Sequence, residues 1–198
     1  MTISAQTIET LEFPKIRERL ASYTAFSASR SLALALLPST DPLLVQRGLR
    51  TTQEARRLLD DNPDVSVGGA RDVRRAVGLA QRGGSLEGVT LLEVAATLAS
   101  SRQLRTRLLK LDETAYAELR ELALGLAHLP GLEDTINGAI GDDGSVLDSA
   151  SPALGRLRVE IRIAYGRLQD KLNSMISSSQ AESLQEPIIT IRNGRYVV

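Results

Sequence analysis

The 198-residue chain carries 24 basic and 24 acidic side chains and one histidine, so its formal net charge is zero. That balance argues against a compact, strongly basic nucleic-acid-binding domain. The absence of Cys, with His128 as the one histidine, excludes disulfide scaffolds, thiolate zinc sites, cysteine nucleophiles and paired-histidine metal centres. Leu and Ala dominate the apolar residues, Trp is absent and β-branched runs appear only near the end, a composition that favours helices.

From the start, Ile8, Leu11, Ile16 and Leu20 fit one face of a first helix. Pro14 either sits in its first turn or splits a lead-in from the helix proper. Residues 28–37 read as a second helix closed by Pro38. Asp41-Pro42 then supplies a cap followed by proline at the first helical position. A third helix is predicted over 42–60, with Leu44, Leu49, Ala55, Leu58 and Leu59 inward, stopping at Asp61-Asn62-Pro63. After a connector at Val65–Gly69, a short helix over 70–81 ends at Gly83-Gly84. A long one over 90–109 presents Leu91, Val94, Ala95, Leu98 and Leu104 as an apolar stripe. These pieces read as a bundle of antiparallel helices.

Two more helices, over 114–127 and 130–140, carry an acidic block. Residues 111–150 hold nine acidic side chains and one basic, Arg120, whereas 151–198 hold seven basic and four acidic. Gly141-Asp142-Asp143-Gly144 breaks the pattern. Leu154, Leu157, Ile161, Ala164, Leu168 and Met175 then repeat at three-four spacing, a long helix over 152–177 with a narrow seam. That seam suits either a two-helix coiled arm or a helix packed on its own domain.

The last dozen residues differ in kind: Pro187–Ile191 and Tyr196–Val198 are β-type runs around Arg192-Asn193-Gly194-Arg195, and Asn-Gly is the preferred type I′ hairpin pair. An isolated hairpin is marginal in water, so further strands are expected beyond Val198. The fold expected is mainly α: a helical core over 1–150, a long coiled helix and loop over 151–186, and a β-hairpin over 187–198 that begins a β-containing module; the family resemblance given below implies that the long helix is a lever and the module a clamp. No apolar run spans a bilayer and no basic-then-apolar leader opens the chain, so a soluble cytoplasmic protein without membrane attachment is expected.

Few residues offer chemistry. Asp142, Asp143 and Asp148 surround Gly144 but lack the alternation and the closing Glu of a calcium loop, and a turn between helices accounts for them. A carboxylate nuclease built on them is the last-ranked reading. His128 has no partner in view. Neither Gly68-Gly69 nor Gly83-Gly84 precedes Lys-Ser or Lys-Thr, so no phosphate-cradling loop is encoded. Arg71, Arg74 and Arg75 cluster around Asp72 and read as a solvated face. Arg192 and Arg195, flanking the hairpin turn, are the candidate nucleic-acid contacts, placed where guanidinium groups reach a duplex backbone.

Several segments together resemble the type-two branch of the MutS family: Leu11-Glu12-Phe13-Pro14-Lys15-Ile16, Leu37-Pro38-Ser39-Thr40-Asp41, Gly69-Ala70-Arg71-Asp72-Val73-Arg74, Gly83-Gly84-Ser85-Leu86, Asp143–Leu154, Leu184-Gln185, and most specifically Ile189–Val198. The resemblance implies an N-terminal core and lever of a dimeric, ATP-driven, DNA-embracing protein. It further implies suppression of homologous recombination, a C-terminal Smr endonuclease domain and, in some members, splitting of stalled ribosomes. ATP and Mg²⁺ would be bound beyond residue 198, so no cofactor, metal or catalytic residue is expected within this chain. The alternative reading of the residues is a free-standing helical protein-interaction module.

Overall fold

The computed structural model describes residues 3–25, 27–177, 189–192 and 195–197. The chain divides into two units, Met1–Ser145 and Val146–Val198. Among the described residues the architecture is mainly α, with one two-stranded antiparallel sheet.

The first unit opens with α1 (Ala5–Thr10) and α2 (Phe13–Ser22), separated at Glu12, whose φ of 53° lies in the left-handed region. Pro14 falls in the first turn of α2, where its missing N–H costs no hydrogen bond. Ser4 caps α1 by accepting from the Thr7 amide at 3.1 Å. α3 spans Ser27–Leu34 and packs on α2. It ends three residues before the expected Leu37, and residues 35–41 continue without helix.

α4 (Pro42–Asp61) starts where Asp41 accepts from the amides of Leu43 and Leu44 at 2.9 and 3.4 Å. Its expected inward set needs correction. Leu58 is buried and Ala55 packs beside it, but Leu44, Leu49 and Leu59 are exposed, while Glu54 is buried. α5 begins at Arg74, not at residue 70, and ends at Gln81. Gly69 is left-handed at φ 86°, and Asp72 accepts from the Arg74 amide at 3.3 Å, holding the preceding residues in a turn.

α6 (Gly88–Leu109) is the organising helix of this unit. It packs on α8 (Pro130–Ala139) at one end and on α7 (Ala117–Leu124) at the other, and α7 packs in turn on α4. Two small apolar clusters result: Leu58, Leu108, Leu119 and Ala123 join α4, α6 and α7, and Ala95, Ile136 and Ile140 lie where α6 meets the α8 segment. α7 starts later than the expected residue 114 because Asp112 accepts from the Thr114 and Ala115 amides at 3.0 and 2.8 Å, giving those residues to a capped turn.

In the second unit a 3₁₀ turn, Asp148–Ala150, leads into α9, which spans Pro152–Ser177, the range its seam predicts. Strands β1 (Thr190–Arg192) and β2 (Arg195–Val197) pair antiparallel, with Thr190 opposite Val197, Ile191 opposite Tyr196 and Arg192 opposite Arg195. The predicted Asn193-Gly194 turn and the Leu184-Gln185 segment lie outside the described residues.

Candidate nucleic-acid interface and lever helix

The first unit is tied together by long-range polar contacts that periodicity gives no sign of. Glu54 on α4 accepts from the α7 amides of Glu118 and Leu119 at 3.3 and 2.9 Å, placing a carboxylate at the positive end of that helix. Glu118 is in turn gripped by Arg47 at 2.9 Å and by Arg50 at 3.0 Å. The Arg50 hydrogen bond is the main reason its carboxyl is held below the usual range, with Arg47 adding to it against the opposing effect of burial. On the other side of α6, Arg102 makes a two-pronged contact with Glu133 on α8 at 3.0 and 2.9 Å and lowers that carboxyl similarly.

Several motif glycines answer to packing. A side chain at Gly84 would meet Leu79 Cγ at 2.7 Å, and one at Gly69 would meet Ser100 Oγ at 2.8 Å. Gly144, at φ 79°, would place a Cβ 2.6 Å from Val89 Cγ2, so the 141–145 turn lies directly against the start of α6. The open sides of Gly69 and Gly84 thus face protein atoms.

The remaining candidates fall out similarly. Asp143 accepts from the Ser145 amide at 2.9 Å, an Asx turn, and Asp148 pairs with Arg158 at 2.6 Å within the second unit. No group of three or more His, Cys, Asp or Glu side chains suited to a metal ion occurs among the described residues. Arg74 is engaged with Asp72 at 2.7 and 2.5 Å, and Ser27 also donates to Asp72, so this carboxyl is held well below its ordinary range. The basic trio therefore offers less free charge than its sequence suggests. His128 lies in the link between α7 and α8.

α9 contrasts with all of this. Leu157, Ile161 and Leu168 on its seam are 54%, 66% and 39% exposed, and Val159 and Ile163 on another side are 45% and 49% exposed. Arg158 anchors the start of α9 by donating to Val146 O at 2.8 Å as well as to Asp148.

Near the middle of α9 the hairpin meets it through two tyrosines. Tyr196 Oη donates to Tyr165 Oη at 3.0 Å, the rings meet edge-on at 6.4 Å between centroids, and Gln169 donates to Tyr165 Oη at 3.3 Å. The Tyr196 phenol is pushed above the ordinary tyrosine range, first by that hydrogen bond and then by burial. Arg192 and Arg195 stand opposite one another in the ladder and are both exposed. The sequence places Tyr196 in a β-type run and gives no sign of its contact with Tyr165, 31 residues earlier.

Among the described residues the second unit holds the 26-residue helix α9 and the β1–β2 pair. Comparison with known proteins supplies the family. The chain is 42% identical over 193 residues to the endonuclease MutS2 of Symbiobacterium thermophilum, covering 98% of this chain and 24% of that protein. It is 41% identical to the endonuclease MutS2 of Geobacillus thermodenitrificans over 95% of this chain and 24% of that protein. For that of Thermomicrobium roseum the identity is 36% over 99% of this chain and 25% of the relative. No family model matches the chain. The chain is a MutS-family sequence of the type-two branch, and it spans about a quarter of the length of the curated relatives it matches. Among the described residues no helix is long and apolar enough to cross a membrane.

Proposed function

We propose that this chain is the core and lever of a MutS2-type DNA-binding ATPase, passing nucleotide state from an ATPase to a clamp on DNA. Similarity to MutS2 proteins over nearly the whole of this chain carries the reading, and the exposed 26-residue α9 in contact with the hairpin supports it. In this reading α9 is the rigid strut, and β1 and β2 begin the clamp. Arg192 and Arg195 are phosphate contacts near the hairpin's end. ATP and Mg²⁺ belong to the parent protein, as do homodimerisation through its ATPase and nuclease action by an Smr domain. Branched or duplex DNA is the first partner, with suppression of homologous recombination as the outcome, and the ribosome is the second. The protein works in the cytoplasm.

The chain by itself is structural: it neither hydrolyses ATP nor cuts DNA, and it binds duplex DNA weakly because the clamp supplies most phosphate contacts. The test is to assay the 198-residue chain beside a longer MutS2-type protein that contains it. ATP turnover confined to the longer protein, with a steep salt dependence of duplex binding there and a shallow one here, is the expected result. ATP turnover or steeply salt-dependent binding by the 198-residue chain alone would overturn the proposal.

A second reading, a free-standing protein-interaction module, draws on an apolar groove of about 570 Å³ between α4, α6 and α7. Leu59, Val67 and Leu122 on its walls are 51%, 41% and 55% exposed. It requires the chain to bind a protein partner with no downstream sequence present, which a pull-down with the 198-residue chain measures.

A further inference from the structure

A two-stranded hairpin does not hold itself together in water, and three-residue strands are at the short limit. A contact outside the ladder is present, between Tyr196 of β2 and Tyr165 of α9. Tyr196 lies in the central pair of the register, opposite Ile191, so an anchor there acts on both strands at once. Its partner Tyr165 is in the middle of α9, thirteen residues from the start and twelve from the end of a helix spanning Pro152–Ser177. Gln169, one turn further on, donates to the same Tyr165 oxygen, which restrains the acceptor before the hairpin hydroxyl arrives.

We propose that Tyr165 and Tyr196 form a latch that seats the hairpin on α9 and thereby orients Arg192 and Arg195. This inference rests on the reading of α9 as a lever and of the hairpin as the beginning of a clamp. Arg192 and Arg195 form the pair next to Ile191 and Tyr196 in the ladder, so fixing Tyr196 limits where the two guanidinium groups can reach. The latch has two separable parts. The edge-on ring contact survives replacement of either tyrosine by phenylalanine, whereas the 3.0 Å hydroxyl bond does not. One neutral hydrogen bond and one aromatic edge are weak enough to open when the helix is strained and strong enough to keep the hairpin seated at rest. Tyr165 and Tyr196 are positioning residues, since neither is placed on nucleic acid.

Amide hydrogen exchange, read by NMR on the 198-residue chain, tests this. In the unmodified chain the β1 and β2 amides should be protected. Tyr196→Phe should lower that protection about fivefold, as should Tyr165→Phe. The double variant should lower it no further than either single one, because both remove the same bond. Tyr196→Ala, which removes the ring as well, should lower it more, while the α9 amides stay as protected as before. Unprotected strands in the unmodified chain, single losses that add, or α9 amides that lose protection in step with the strands would overturn the latch. No nucleic acid is present in the measurement, so failure of the DNA reading would leave this result unchanged. Failure of the latch would equally leave the chain's role as core and lever standing.

Discussion

The α4–α6–α7 junction and the long helix α9 are both built from leucine-rich, arginine-rich helices, yet only the first is closed. At the junction Leu58, Leu108, Leu119 and Ala123 exclude water, and the polar residues next to them are spent on one another: Glu54 on the α7 amides, and Arg47 and Arg50 on Glu118. On α9 no residue is buried, and apolar side chains on two of its sides face outward. The same local code gives a settled core where α4, α6 and α7 meet one another and exposed apolar side chains along α9. An apolar stripe specifies a face for burial without supplying the surface that buries it.

The largest effect is expected at the junction. Leu58→Ala removes a side chain only 4% exposed from the centre of a small cluster and should lower the stability of the first unit by about 2–5 kcal/mol, measured by urea denaturation. Truncation on α9 should behave oppositely. Ile161→Ser, at a residue 66% exposed, should change the stability of the isolated chain by less than about 0.5 kcal/mol. A large loss there would mean that the chain covers the seam itself. Between these lies the helix cap. Glu54→Ala should cost about 1–2 kcal/mol, because the amides of Glu118 and Leu119 lose their acceptor.

Acid should sharpen the contrast further. Glu118 and Glu133 have carboxyl groups held below their ordinary range, chiefly by Arg50 and Arg102. A depressed folded pKa stabilises the fold above the unfolded carboxylate value, about 4.3, and that stabilisation is lost as pH falls through the folded value. Melting temperature of the first unit should therefore drop on acidification from pH 5 towards pH 3, and Glu118→Gln should flatten the profile. An unchanged slope in that variant would remove Glu118 from the account.

Much of the fold could be read locally. Asp41-Pro42 marks the start of α4 because the cap and the proline act on adjacent residues, and the α9 seam is long enough to specify both its ends. Errors of extent came from turn chemistry: Asp72 and Asp112 side chains claim backbone amides that a helix would otherwise use, delaying α5 and α7. Leu44 and Leu49 fall on the inward face by period yet are exposed, because period says nothing of whether another helix reaches that face. The acidic clasps at Glu118 and Glu133 join residues up to 71 positions apart, beyond any local signal. The exposed pairing of Arg192 with Arg195 follows from their places beside an Asn-Gly pair; the contact between Tyr165 and Tyr196 does not, since nothing in either local sequence names the other.

The most direct test of the lever is to break α9 without touching its surroundings. Gly166 lies near the middle of the helix, and a side chain there would meet nothing within 4 Å. Gly166→Pro should therefore kink the helix, at a local cost of about 3 kcal/mol, and Gly166→Ala should firm it. Both variants belong in a longer MutS2-type protein carrying this segment, with ATP turnover measured with and without branched DNA. A lever predicts that proline abolishes the response to DNA while basal turnover persists, and that alanine leaves the response intact. Full DNA stimulation in the proline variant would contradict a mechanical role for α9.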